Sequence, residues 1–368
     1  MSDYLLFYNG GQRLVTFNFL IQPRTTNFAD ALTYPGTVVL LLTMNQTPGE
    51  SLNIYFFRKN TGLPVKMIID NSMEGALTID GLKSIGIAGL DFEDILLIHN
   101  SAFEHLFKET VSNNFYIDFH AIDAYHKCIL RNHSLNNSPV STRTNRLNLL
   151  IGKIKVKYSR FLTTFYFYKY GLLDGAVLGI HAHPADFLSM MDKYSIGDID
   201  FYNNIITHLG AADNTPLWET NEGLTAIDGW PYDTNIYKRS SVSYICETYD
   251  IDKGTTILNT EKFYRSITNR HPFVIQSAPG YIQKINSIGY QTFSSIIDES
   301  YNNYSKLDFS HVEPTVLAAR DFLSKVPNNT EKLQEIVDYN FNHFMKTSKA
   351  EYQSFIKVVD DFASGRPI

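Results

Sequence analysis

"NTEKFYRSITNRHPFVI", residues Asn259–Ile275, decides how the second half of this chain is read. "TEKFYRSITNR" spells an amphipathic helix, and "PFVIQS" is an apolar run of strand length. Upstream, "SVSYICETY" reads as another strand, and "PGYIQKINSIGY" downstream reads as a second helix. Strand, loop, helix, strand, helix is the order of a parallel α/β sheet. A helix beginning near Thr260 points its free N–H groups and positive dipole end beyond the preceding strand. Lys262 and Arg265, three residues apart, share a face near that end and suit a diphosphate. Glu261 can accept two hydrogen bonds from the vicinal diol of a ribose. A plainer reading stands beside this one: Thr260 caps the helix, Glu261 answers its dipole, and the two cations face water.

Working outward, strand-like and helix-like runs alternate through the first third in "TVVLLLTM", "LNIYFF", "VKMIID", "DGLKSIGI", "DILLIHN" and "NFYIDFHA". This rhythm predicts a doubly wound α/β domain over 1–125. "KMIIDNSMEG" reads as a parallel strand with Asp70 and Glu74 at its carboxyl end, where open α/β sheets place ligands. Either carboxylate can serve as a base, or simply cap the next helix. A second α/β domain is expected over 126–313. Its opening reads as a strand in "HKCILRNHS", a loop in "LNNSPVS" and a helix in "TRTNRLNLLIGKIKV" with Leu147, Leu150 and Ile151 on one face. Arg143 and Arg146 then stand three apart at a helix start that Ser141 or Thr142 can cap. This is a second candidate anion seat, or an ordinary exposed first turn. "QTFSSIID" is expected to begin the next strand or a turn. Residues 185–235 are less regular, hold Trp218 and Trp230, and read as an insertion or long connection. Beyond Pro314 the chain reads as helical, with Leu333, Ile336, Val337, Phe341 and Phe344 on one face. These C-terminal helices, 314–368, are expected to pack back on the domains.

Composition sets the outer limits. A chain of 368 residues with 44% hydrophobic and 19% charged residues is globular and long enough for two domains. Its net charge of −6 gives no overall attraction to nucleic acid. No apolar run reaches the ~18–20 residues of a membrane span. The opening "MSDYLLFYNGG" has no leader pattern, so a cytoplasmic location is expected. Two cysteines, Cys128 and Cys246, read as reduced thiols rather than a disulfide framework. His181 and His183 make too small a set to predict a metal site, and none is expected. Asp198 and Asp200 read as a solvated turn. Lys238 and Arg239 read as a phosphate contact or an edge cover.

"VSYICET" followed by "NTEKFYRSITNRHPFVIQSAPGYIQKINSIGYQTFSSIIDESYN" resembles the C-terminal half of glycosyltransferases encoded by tailed phages and large viruses. The Thr-Glu-Lys step is also similar to the donor motif of α1,3-fucosyltransferases. The resemblance is strong over about 242–302, moderate over 125–152, and faint elsewhere. It implies a GT-B-like fold, two Rossmann-like domains facing across a cleft. It further implies a nucleotide-sugar donor such as a UDP- or GDP-sugar, no metal and no other cofactor. Carried over position by position, Glu261 grips the ribose, Lys262 and Arg265 hold the phosphates, Thr260 belongs to the donor site, and Glu247 stands at the end of the preceding strand, beside the donor. Asp298 and Glu299 lie near the cleft. Arg143 and Arg146 match an Arg-x-x-Arg pair that opens the donor domain, although Asn145 stands where the family often has His. Asp70 and Glu74 match an acidic strand end, Glu74 being the first candidate for the base.

The expected reaction is transfer of a sugar to a hydroxyl acceptor, with hydroxymethylated pyrimidines of phage DNA or a glycan or protein as acceptors. DNA would demand a basic groove and a steep salt dependence. The competing classes are a nucleotide-binding protein of the same fold without turnover and a structural virion protein. The latter gives Thr260-Glu261-Lys262 no purpose.

Overall fold

The structure is a computed structural model. It describes residues 4–8, 24–25, 27–43, 49–71, 92–100, 113–130, 138–153, 157–181, 183–209, 235–247, 257–304 and 308–368. Glu74, Trp218, Trp230 and the stretch "DGLKSIGI" lie outside the described residues. The chain forms two compact α/β units, Met1–Asp123 with Thr347–Ile368, and Ala124–Lys346.

In the first unit, six parallel strands lie in the order β2-β1-β3-β4-β5-β6. They are β1 (Tyr4–Tyr8), β2 (Arg24–Thr25), β3 (Thr37–Thr43), β4 (Val65–Asn71), β5 (Ile95–Asn100) and β6 (Asn114–Ile117). Strand residues alternate between two buried faces. Val38, Leu40 and Leu42 pack with Ile54 and Tyr55, while Val39 and Leu41 pack with Ile122, Phe355 and Val359. Burial on both faces is why these strands read as unbroken apolar runs. The helices are α1 (Phe28–Thr33), α2 (Gly49–Asn60) and the start of α3 (Phe119–Leu130), which from Ala124 on belongs to the second unit. "LNIYFF" falls inside α2. "HKCILRNHS", expected as a strand, begins inside α3, which buries Ala121, Ile122 and Tyr125 at helical spacing.

The second unit holds β7 (Leu147–Lys153), β8 (Val177–His181), β9 (Val242–Cys246) and β10 (Phe273–Gln276). All four are parallel, in the order β10-β9-β7-β8. Its helices are α4 (Tyr158–Lys169), α5 (Pro184–Tyr194), α6 (Ile199–Leu209), α7 (Asn235–Lys238), α8 (Glu261–Thr268), α9 (Tyr281–Ser287) and α10 (Val312–Lys325). Helix α11 (Thr330–Ala363) gives its first half to this unit and its last turns to the first unit. Among the described residues no helix is long and apolar enough to cross a membrane.

One further expectation is corrected here. The stretch expected as a helix after Arg143 is strand β7. Leu147, Asn148, Leu149, Leu150 and Ile151 are all buried, because β7 lies in mid-sheet with layers on both faces. Apolar residues at 147, 150 and 151 fit a helix face and a doubly buried strand equally, and the sheet takes the segment. "QTFSSIID" forms turns, the second of its two expected readings. Of the stretch 185–235, helix α5, which begins at Pro184, covers the residues to Tyr194, and α6 covers Ile199–Leu209.

The order of the second sheet decides where a ligand can sit. From β7 the chain passes through α4 to β8 on one side. From β9 it passes through α8 to β10 on the other. The connections part between β7 and β9, which makes their carboxyl ends the topological switch point of this sheet.

Candidate functional site

Strand β7 approaches the switch point irregularly. Leu149 pairs with Leu178 but Gly152 pairs with Ile180, so β7 carries one extra residue there. Gly152 takes φ +79°, a left-handed backbone that an L side chain resists. A Cβ at this position would lie 3.1 Å from Arg160 Nη1, 3.5 Å from Arg160 Cζ and 3.6 Å from Lys262 Cε. The first turn of α4 and the first turn of α8 thus bring two cations together against one glycine. Arg160 is 6% exposed and Lys262 9%. Two cations so far from water need anionic or carbonyl neighbours. Arg160 Nη2 donates to the Glu247 carbonyl at 3.3 Å, and Lys262 Nζ pairs with Glu261 Oε1 at 3.3 Å.

Glu247 closes the arrangement from below. It follows β9, and its N–H donates to the Gln276 carbonyl at 2.9 Å, continuing the pairing with β10. Its side chain is buried. Oε1 accepts from the Thr260 backbone N–H at 3.2 Å and from the Tyr281 hydroxyl at 3.3 Å, and Oε2 accepts from the Thr260 hydroxyl at 2.5 Å. Thr260 is the N-cap of α8, its hydroxyl oxygen accepting from the Lys262 N–H. Burial pushes the Glu247 carboxyl up, while the Lys262 ammonium and the Thr260 hydrogen bonds oppose that shift. The Glu261 side chain is 25% exposed, the most open carboxylate of the group. Arg265 is buried one turn further along α8.

The structure therefore brings Glu247, Thr260, Glu261 and Lys262 together and adds Arg160 and Gly152, which the sequence reading missed. The missed signal was "LLIGK": once Leu147–Lys153 is a strand, its glycine stands at the carboxyl end and the next helix presents Arg160.

Arg143 and Arg146 are placed elsewhere. Both precede β7, so the seven residues of that strand put them about 20 Å from the switch point, at the amino edge of the sheet. Neither opens a helix of the expected kind. Arg143 follows a single 3₁₀ turn, Val140–Thr142. Its buried guanidinium donates Nη2 to the carbonyls of Ser138 at 2.9 Å and Asn269 at 3.4 Å, and burial lowers it to about 10. Arg146 donates Nε to the Gly175 carbonyl. The same edge explains Arg270 and His271. Arg270 pairs with Asp338 at 2.9 Å and lies 3.7 Å over the Phe341 ring. The His271 ring is enclosed by the Ser240 and Pro272 carbonyls and the Ser240 and Ser243 hydroxyls. Burial holds it down to about 3, so it stays neutral.

Asp298 accepts from the Ser300 N–H and hydroxyl, both at 2.9 Å, which hold its carboxyl below the usual range. Glu299 accepts from the Phe293 N–H at 2.8 Å, and burial pushes its carboxyl up. Both brace a turn. From it Asn302 and Tyr304 reach back to β10's carboxyl end, donating to the Ala278 and Ser277 carbonyls. Asp70 is the sixth residue of β4, at its carboxyl end. His183 caps α5, its Nδ1 accepting from the Ala185 N–H at 3.3 Å, and Asp198 Oδ1 accepts from the Phe201 N–H at the start of α6. Among the described residues no group of three His, Cys, Asp or Glu side chains could hold a metal ion.

No protein-family model matches this chain, and no curated protein matches it.

Proposed function

We propose that the switch point of the second unit binds the diphosphate of a nucleotide sugar, and that the protein is a glycosyltransferase working without a metal. The observation that carries this reading is the convergence of Arg160 and Lys262 on Gly152, at the carboxyl ends of β7 and β9, the switch point at which open α/β sheets take their ligands. A glycine there lets a ligand approach the backbone closely. The first N–H groups of α8 and the two cations favour the charge that a leaving diphosphate gains. Glu261, beside Lys262 and partly open to solvent, supplies the two acceptor oxygens that a ribose diol requires.

In this proposal the bond from the anomeric carbon to the diphosphate oxygen breaks, and its electron pair goes to the phosphate held by Arg160 and Lys262. The acceptor oxygen bonds to the anomeric carbon and gives its proton to a carboxylate. We assign that carboxylate to Glu74 or Asp70, and the fold to the GT-B type. The donor is a UDP- or GDP-sugar and the acceptor a hydroxyl compound.

A thermal-shift screen against UDP-, GDP-, ADP-, CMP- and dTDP-sugars tests the reading. One class should stabilise the protein by mass action, about 2.7 kcal/mol at a hundred times Kd. If none stabilises it, the seat does not bind nucleotides and the proposal fails.

A further inference from the structure

Glu247 puts a second negative charge under a seat that the preceding proposal makes anion-binding. Lys262, with Arg160 beside it across Gly152, faces two carboxylates, Glu247 and Glu261, so the group is close to neutral when all four are ionised. Glu261 sits at the open side. Glu247 is wholly buried, and its oxygens are committed to the N-cap of α8 and to Tyr281 of α9. We infer that Glu247 is a positioning residue with a built-in cost: it holds Thr260, and through it the first turn of α8, while its own charge beside Lys262 limits how tightly the seat grips a nucleoside diphosphate. This inference rests on the anion-seat reading and specifies what sets the affinity of that seat.

Among the described residues, the charged and titratable groups around Glu247 come from the helices packed against it. From α8 and its cap come Thr260, Lys262 and Glu261; from α9, the Tyr281 hydroxyl; from α4, Arg160, whose Nη2 is bonded to the Glu247 carbonyl. The Lys262 ammonium favours the ionised carboxylate, and Glu261 and burial oppose it. An arriving diphosphate draws on Lys262 and adds its own repulsion. Ionised Glu247 must therefore oppose the ligand and protonated Glu247 must not, which links proton and anion binding reciprocally. For a transferase this has a use: a seat strong enough to stabilise the departing diphosphate must still let it go.

Glu247→Gln tests the point because it keeps the shape. The amide oxygen can accept from the Thr260 N–H and Tyr281, and the amide N–H can donate to the Thr260 hydroxyl. Binding of UDP and GDP is measured by calorimetry for both proteins between pH 5 and 8. The ligand's own titration cancels in the ratio of the two Kd values. Wherever the native carboxyl is ionised, E247Q should bind roughly tenfold tighter, since removing a buried like charge is expected to change the interaction by about one pKa unit's worth. The ratio should fall toward one as the pH drops and the native carboxyl takes a proton. Tyr281→Phe, which removes one donor that favours the ionised carboxyl, should make Glu247 take its proton at a higher pH, so that binding tightens at a higher pH than in the native protein. It also serves if E247Q fails to fold. A role confined to capping α8 predicts weaker binding by both variants at every pH. Equal or weaker binding by the variants overturns the inference and leaves the seat intact. A native protein that binds neither UDP nor GDP overturns the seat as well.

Discussion

Replacing Gly152 with alanine tests the geometry on which the site depends. Two costs follow from the structure. A left-handed φ of +79° penalises an L-residue by about 1–2 kcal/mol. The new methyl group would also stand 3.1 Å from Arg160 Nη1, so the guanidinium must shift by a few tenths of an ångström at about 1 kcal/mol. Gly171 separates the two terms. It lies in the same unit, just after α4, with φ +65° and nothing within 4 Å of where a methyl group would stand. Gly171→Ala should therefore cost only the backbone term of about 1–2 kcal/mol, and Gly152→Ala about 2–3 kcal/mol, by urea unfolding. In the calorimetric assay G152A should also lose about 1.5 kcal/mol of UDP affinity, roughly tenfold, through a displaced charge-assisted hydrogen bond. G171A should bind normally. If the two variants match in both stability and affinity, Arg160 and Lys262 do not meet at Gly152 and the site is misconceived.

Glu261→Ala should weaken nucleoside diphosphate binding by about 1–3 kcal/mol, and the deoxyribose analogue should lose less than the ribose compound, because the carboxylate serves the diol. Calorimetry with the paired ligands reads this, and equal losses would reject the ribose role. Arg146→Gln should leave UDP affinity unchanged within error, since β7 holds it at the opposite end of the sheet; a weakened Kd would restore the arginine to the donor site. His271 gives a pH prediction with a definite sign. Its folded value of about 3 lies below the unfolded ~6.5, so the unfolded chain binds the extra proton on acidification. Its contribution is complete above pH 6.5 and declines toward pH 3, by about 2 kcal/mol at pH 5. Urea midpoints across pH 5–7 should show this slope, and it should vanish in His271→Asn.

The α/β class was legible because parallel strands buried on both faces leave short unbroken apolar runs, and these recur in alternation with helical patterns along the chain. "TVVLLLTM" and "PFVIQS" could be placed from their residues alone. So could α8, whose cap, charged first turn and apolar face all agree. The same ambiguity that makes a short apolar run hard to type misread β7, and one wrong element moved two arginines. As a helix, its first turn offers Arg143 and Arg146 to an anion. As a strand, it carries them to the amino edge and leaves Gly152 at the carboxyl edge.

By itself, the amino-acid order determined which segments bury themselves and where α8 begins, because capping, dipole and periodicity are local properties of neighbouring residues. Only the tertiary structure decided which charges meet. Arg160 and Lys262 are about a hundred residues apart in the chain, and their encounter depends on strand order, on one extra residue in β7 and on the direction of two helices. Those are settled by long-range packing of the whole sheet, which no local pattern encodes.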